Sequence, residues 1–227
     1  ELLRLGWDGR REIVQDAASA FGLELNDNVN YRIAIISDGY PYYIHLLIEK
    51  MLWAAFDSEI EEPLLGWDEF DIGLRVAIRE TTAELRQSYE KAVLQHTGEF
   101  EDVVWSTADG DDLFRSLDSM FMSYQRIVSE RDGHSEVERP KYTKLVGKLK
   151  DISHGSILKS LDRRGWYEYK EKMIRGYVRM QAEANGVLLT GENAIPKQTM
   201  HIGNSRTGTY GSSIPKGVNQ NEKFGRS

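Results

Sequence analysis

The sequence predicts a mainly α-helical chain, in which a small helical bundle precedes a helical domain with a short β-hairpin, and an extended polar tail follows. Apolar residues recur at intervals of three and four along most of the first 185 residues. Turn-forming residues separate these segments at short intervals. Only residues 156–161 and 165–170 have the pattern of strands, on either side of an Asp-Arg-Arg-Gly turn.

Composition and charge restrict the class of protein. The chain has 227 residues, 40% of them hydrophobic, and no cysteine, so disulfides and thiolate chemistry are excluded and a cytoplasmic location is expected. Charges interrupt the apolar runs well before the roughly 20 residues that span a membrane, so we expect no membrane partner. Residues 1–80 carry 7 basic and 16 acidic side chains, whereas residues 137–186 carry 12 and 6. This asymmetry predicts two surfaces with different partners.

The first sixty residues predict three short helices joined by tight turns. The first covers residues 8–21, the second follows a cap at Asn26, and the third runs from Pro41 to about Phe56. Asp38 and Gly39 break the chain before Pro41, which fits the first turn of a helix because its missing N–H is no loss there. The residues of this joint either serve only to pack the helices together or contact a ligand.

The remaining segments complete the predicted domain organisation. A linker at 59–63 precedes a helix from Trp67 towards Arg79 and another that Thr81-Thr82 caps. Further helices are predicted around Trp105, after a capping break at 109–112, over 142–152, and over 171–185, where Gly186 ends the last one. We assign the segments as follows: residues 1–62, helical bundle; 63–98, connecting helices; 99–186, second domain; 187–227, extended polar tail.

The second domain has the element order of a winged helix-turn-helix. A helix, a second helix, a basic helix and a hairpin with arginines at its tip follow one another. The candidate nucleic-acid-binding residues are Lys141, Lys144, Lys148, Lys150, Arg163 and Arg164. The lysines form either a solvated helix face or a phosphate-binding surface. The aromatic residues Trp166, Tyr167 and Tyr169 belong either to the core or to that surface, and winged helices also serve as protein-docking modules.

Patterns for independent catalysis are missing from the sequence. A phosphate-binding loop needs a strand, a glycine-rich turn and Gly-Lys-Ser/Thr, and neither this motif nor an apolar strand ending in Asp-Glu occurs. The five histidines are scattered, so no metal site is expected. We therefore expect no enzymatic activity from this chain by itself.

The stretch ISDGYPYYIHLL, residues 36–47, carries a family resemblance. It resembles the lid subdomain that follows the nucleotide-binding core in AAA+-related ATPases of the signal-transduction (STAND) type. The residues that carry this resemblance are Ser37, Gly39, Pro41, Tyr42, Leu46 and Leu47. The downstream segment WYEYKEKMIRGYVR resembles the domain that these ATPases attach after the lid. The resemblance implies that Gly39, Tyr40 and Pro41 face the adenine of a bound nucleotide. It also implies that ATP and magnesium bind only when the missing ATPase core is present. That core would be a partner of this chain.

The chain departs from that family in two respects. It lacks the Walker motifs, and no arginine is recognised at the joint, where many AAA+ lids carry a second sensor. It also begins in a helical pattern without a methionine, which suggests a piece of a longer protein. Our first hypothesis is a non-catalytic regulatory fragment that couples nucleotide state, through the lid, to a winged helix that binds DNA or a protein.

Two alternatives stay open. The chain could be a self-standing winged-helix DNA-binding regulator, in which the first eighty residues serve as a dimerisation or effector domain. It could also be a protein-interaction scaffold, which the acidic surfaces would favour over the basic hairpin. An upstream strand–G-x-x-x-x-G-K-[ST]–helix unit in the reading frame would exclude the self-standing regulator.

Overall fold

The computed structural model describes residues 4–58, 62–93 and 98–190, and these residues are mainly helical. The described helices are α1 (Trp7–Ala20), α2 (Asp27–Ile36), α3 (Pro41–Asp57), α4 (Trp67–Glu80), α5 (Ala83–Val93), α6 (Glu99–Ala108), α7 (Leu117–Ser129), α8 (Arg139–Lys148) and α9 (Met173–Ala184). The described strands are β1 (Glu24–Leu25), β2 (Leu64–Leu65), β3 (Phe114–Ser116), β4 (Leu158–Ser160) and β5 (Trp166–Tyr169).

Local signals account for the first three helices, and their prediction is confirmed. The Asn26 side chain accepts hydrogen bonds from the backbone N–H groups of Asn28 and Val29, at 3.0 and 3.3 Å, and so caps α2. Asp38 and Gly39 end that helix with positive φ angles of 52° and 76°. The chain then turns directly into α3, whose first residue is a proline, as the sequence predicts.

The fourth helix packs closely along the third. A Cβ atom added to Gly73 of α4 would lie 2.9 Å from the backbone nitrogen of Met51 in α3. The short parallel pair β1–β2 adds a second link, because it joins the chain after α1 to the chain before α4. This pair cannot be predicted from the sequence, since two residues per strand show no periodicity.

The second half contains a three-stranded antiparallel sheet in which β5 lies between β3 and β4. The predicted hairpin is confirmed: β4 and β5 pair with Ser160 opposite Tyr167. Gly165 closes the turn with a φ of 77°. The order of elements along this half is therefore α6, β3, α7, α8, β4, β5 and α9.

One predicted helix start is wrong. The break at 109–112 does not cap a helix that begins at Leu113, because residues 114–116 form β3 and pair with β5. The helix α7 begins four residues later, at Leu117, after the Ser116 hydroxyl, which accepts from the Ser119 N–H at 3.1 Å and caps the helix. The carboxylates of Asp109 and Asp111 instead contact arginines, and that of Asp109 also accepts from Thr190.

The bounds of the predicted basic helix also need correction. The helix α8 begins at Arg139 and ends at Lys148, whereas the sequence predicted 142–152. It ends early because the Leu149 carbonyl accepts from the Leu158 N–H at 3.2 Å, which turns the chain towards β4. Residues 152–154 form a separate 3-10 turn. The candidate residue Lys150 consequently lies outside the helix.

The last helix, α9, is the centre of the described unit, because it packs against α2, α4, α5 and α6. The Tyr43 hydroxyl of α3 donates to the Met173 carbonyl at its first turn, at 2.7 Å. Residues from the three predicted segments 1–62, 63–98 and 99–186 share one hydrophobic core. Gly186 ends α9 with a φ of 77°, as predicted. Of the predicted polar tail, Val187 and Leu189 are buried, and residues 191–227 lie outside the described residues.

Replacing Gly73 by alanine is expected to lower the free energy of unfolding by about 1–3 kcal/mol, because the new methyl group overlaps backbone atoms of α3 that cannot shift alone. The matched control is Gly147→Ala in α8, where an added Cβ meets no atom within 4 Å. Alanine favours a helix over glycine, so this control should leave the stability unchanged or raise it by up to about 1 kcal/mol. Urea denaturation followed by circular dichroism measures both variants, and equal losses would contradict the close packing of α3 and α4.

Candidate functional site

The joint between α2 and α3 is closely packed and requires glycine. The Gly39 carbonyl accepts from the Leu5 N–H at 2.8 Å. A Cβ atom on Gly39 would lie 2.9 Å from the Leu5 carbonyl oxygen and 2.9 Å from Arg10 Nε, and the φ of Gly39 is +76°. The left-handed backbone and the close approach of the N-terminal segment both exclude a side chain here.

The three residues predicted to face a nucleotide are mostly covered by the protein. Gly39 and Tyr40 are buried, whereas Pro41 is half-buried. Burial, with a further contribution from the Asp38 carboxylate, raises the pKa of Tyr40 to about 12. The Tyr40 hydroxyl has no hydrogen-bond partner in the described part of the chain. In this chain the joint therefore packs inward, and Pro41 is its most accessible residue.

The fully buried carboxylate of Asp38 lies among three arginines. Its Oδ1 accepts from Arg4 Nη2 at 2.7 Å, and it lies 3.4 Å from Arg179 Nη1 and 3.6 Å from Arg175 Nη2. A buried carboxylate is tolerated only when cations or hydrogen-bond donors compensate its lost hydration. Asp38 therefore connects the N-terminal segment, the joint and α9 through a single side chain.

The loop between α6 and β3 is the second partner of the α9 arginines. Arg179 Nε donates to the Ala108 carbonyl at 3.0 Å, and both Arg175 and Arg179 donate to the Gly110 carbonyl. Arg179 Nη1 also donates to the Ile35 carbonyl at 2.7 Å. One buried guanidinium thus holds the end of α2 and the start of this loop against α9.

Cations outnumber carboxylates in this group of side chains. We call it the Asp38 cluster, and its members are Arg4, Arg10, Arg175, Arg179, Asp38 and Asp111. Burial lowers the pKa of Arg179 to about 10, against the opposing effect of Asp38, so Arg179 remains protonated at neutral pH. Burial alone would raise the pKa of Asp111, but Arg4 and Arg10 outweigh it and hold that pKa below its ordinary value.

No arginine at the joint was recognised from the sequence, and the structure corrects this by placing three around the Asp38 carboxylate. Arg4 lies 34 positions before Asp38 along the chain, and the other two come from α9. A signal was present in the segment IRGYVRM, where Arg175 and Arg179 are four residues apart among apolar residues. Side chains four apart share one face of a helix, so two arginines on an apolar face predict a buried acidic partner.

The predicted lysines of α8 share an exposed face of that helix. Lys141, Lys144 and Lys148 are all exposed. Lys141 pairs with Glu99 at 2.6 Å, and Lys148 Nζ lies 5.8 Å from the centre of the Phe100 ring. Lys144 has no ion-pair partner among residues 4–58, 62–93 and 98–190. The stripe is therefore accessible, and Lys144 is its least engaged member.

The hairpin presents the other predicted cations. Arg163 and Arg164 are exposed on the turn between β4 and β5, and the Arg163 guanidinium lies 4.5 Å from the centre of the Trp166 ring. Lys150 lies beside the hairpin, since its Nζ donates to Ser160 Oγ at 3.3 Å. The predicted cations thus lie on two different elements, the helix α8 and the hairpin with its flank.

The three aromatic residues of β5 divide between core and surface. Tyr169 is buried, its hydroxyl lies 2.6 Å from Thr107 Oγ1, and burial raises its pKa to about 12. Tyr167 is half-buried and packs against the core. Trp166 is half-buried and supports Arg163. Only Trp166 therefore contributes to the basic surface of the hairpin.

Within the described ranges, no group of three His, Cys, Asp or Glu side chains is placed to hold a metal ion. No helix in the same ranges combines the length and the apolar character needed to cross a membrane.

Comparison of the chain with protein-family models, with curated proteins and with solved structures finds no match. The resemblance to STAND-type ATPases rests on the residues quoted above. The geometry of the joint, the Asp38 cluster and the basic surfaces is therefore the basis for a functional proposal.

Replacing Asp38 by alanine is expected to lower the free energy of unfolding by about 3–5 kcal/mol, because it leaves buried arginines without their carboxylate. The matched control is Asp27→Ala: that side chain is 90% exposed and pairs with Arg11 at 3.3 Å, so its loss should cost less than about 1 kcal/mol. Guanidinium denaturation measures both. If Asp38→Ala does not fold, the milder Asp38→Asn takes its place, and equal losses for the Asp38 and Asp27 variants would contradict this account.

Proposed function

We propose that the chain is the non-catalytic regulatory part of a nucleotide-dependent AAA+-related ATPase of the STAND type. In this proposal residues 1–62 form the lid, and residues 99–186 form a winged helix that binds duplex DNA. The ATPase core, with its phosphate-binding loop and magnesium ligands, is a separate segment. The chain itself senses the nucleotide state through the lid and presents the DNA-binding surface.

The observation that carries the proposal is the order of elements together with the position of the basic residues. The chain runs α6, β3, α7, α8, β4, β5, with β5 in the middle of the sheet. In a winged helix the second helix of the helix-turn-helix unit enters the major groove, and α8 occupies that place in the order. Its exposed Lys141, Lys144 and Lys148 and the exposed Arg163 and Arg164 of the hairpin supply cations for phosphate contacts.

The Asp38 cluster supports the coupling part of the proposal. It joins the joint of the lid to α9, which follows the hairpin, and to the loop that precedes β3. If the ATPase core displaced Pro41 or the neighbouring backbone, Asp38 would shift. Its contacts with the N-terminal segment and with α9 would then be disturbed. The lid and the winged helix would then respond together.

We expect the purified chain to bind a short DNA duplex with an affinity that falls steeply with salt, with a slope near −0.9 for each phosphate neutralised. Charge reversal at the hairpin, Arg163→Glu with Arg164→Glu, should weaken binding by at least about tenfold, because each reversal removes a phosphate contact and adds repulsion. Fluorescence anisotropy of a labelled duplex, from low to physiological salt, measures both effects.

The matched control for this experiment is Arg75→Glu, a charge reversal at an exposed arginine of α4 in the acidic half of the chain. It should change the affinity by less than about twofold, since the duplex contacts lie elsewhere. Undetectable binding at low salt, or a hairpin variant that binds as well as the parent, would contradict DNA binding. The winged-helix segment would then be assigned to protein docking.

A second expectation concerns nucleotide. The chain alone should bind ATP with magnesium more weakly than about 100 μM and should not hydrolyse it, because a lid supplies few of the contacts to adenine and none of the magnesium ligands. Isothermal calorimetry and a phosphate-release assay measure binding and turnover. A micromolar dissociation constant, or turnover that survives purification, would contradict the assignment of the nucleotide site to a separate core.

A further inference from the structure

An apolar groove lies between the end of α1 and the second half of α3. Three aromatic residues that line it are largely exposed to solvent, with exposed fractions of 71% for Phe21, 58% for Trp53 and 75% for Phe56. The groove has a volume of about 650 Å³, and its other lining residues are Leu23, Glu49, Leu52 and Ala55. Large aromatic side chains left in water at one place mark an interaction site, because covering them is favourable.

Regular elements hold the groove in place. Trp53 and Phe56 lie three residues apart on α3, and their rings meet edge to face with centroids 6.0 Å apart. Phe21 follows the last residue of α1, where its N–H donates to the Ala18 carbonyl at 3.0 Å. The groove is therefore preformed, and a ligand can bind it without a large rearrangement of the protein.

The two segments that form the groove carry a net negative charge. Residues 12–27 contain no lysine or arginine and four acidic residues. Residues 45–58 contain Glu49 and Asp57, and their one cation, Lys50, pairs with Glu49 at 2.7 Å and with Glu80 at 2.6 Å. A ligand for this groove must therefore combine apolar side chains with positive charge.

We propose that the groove binds an amphipathic helix of a partner protein, with bulky apolar residues on one face and lysine or arginine on its flanks. The groove can take two or three large side chains, which a helix presents at positions i, i+3 or i+4, and i+7. The acidic segments disfavour nucleic acid, whose phosphates they repel. They also disfavour a second copy of this chain, since a two-fold contact would place like charges opposite each other. This inference does not depend on the proposed ATPase function.

The test uses two synthetic helical peptides of about 18 residues with an identical face of leucine and phenylalanine. The remaining positions are lysine in one peptide and glutamate in the other. The lysine peptide should bind the full chain at least about tenfold more tightly than the glutamate peptide, as measured by anisotropy of the labelled peptides. Trp53→Ser with Phe56→Ser should abolish this binding. The matched control is Met122→Ser on α7, an apolar residue that is 70% exposed outside the groove and should not matter.

Charge variants test the second half of the inference. Glu24→Lys with Asp57→Lys should reduce or reverse the preference between the two peptides, because both carboxylates are exposed and neither has an ion-pair partner in the described ranges. Equal affinity for both peptides, or lysine-peptide binding that survives loss of Trp53 and Phe56, would overturn the proposal. So would a concentration-dependent dimer in sedimentation velocity that the Trp53 and Phe56 substitutions abolish, since a second copy would then cover the groove.

Discussion

The buried carboxylate of Asp38 is the interaction on which the arrangement of the helices depends. The hydrophobic effect is non-directional, whereas a buried charge is stable only where its partners meet it. Arg4 reaches Asp38 from the N-terminal segment, and Arg175 and Arg179 reach it from α9. Because Arg179 also donates to the Ile35 carbonyl of α2 and to the Gly110 carbonyl of the loop after α6, one polar network fixes the relative positions of both halves.

This network gives the joint between α2 and α3 a structural role as well as the proposed functional one. The left-handed backbone at Asp38 and Gly39 turns the carboxylate inward and lets the segment around Leu5 approach closely. The surfaces available to partners lie elsewhere and differ in charge. The aromatic groove is supplied by acidic segments, whereas α8 and the hairpin are basic. The two proposals therefore place partners of opposite charge on one compact unit.

Helix ends and turns that depend on neighbouring residues could be predicted from the sequence. The Asn26 cap, Pro41 at a helix start, the hairpin turn and the stop at Gly186 each depend on nearby residues, and the structure confirms them. The strand β3 was missed because three residues show no clear period and need β5, about fifty positions away, as a partner. The Asp38 cluster escaped prediction for a similar reason, since its members are distant in sequence: the spacing of Arg175 and Arg179 signals a buried acid but does not say which one.

Hydrogen–deuterium exchange of the Asp38→Asn variant tests the central claim most directly, since exchange reports local opening of each segment. If the Asp38 cluster joins both halves, amide protection should fall in three places at once: the joint after α2, the first half of α9, and the loop from Ala108 to Asp112. Protection in α8 should change little, because none of its residues contacts the cluster. Loss of protection confined to the joint, with α9 and the loop unchanged, would contradict the account.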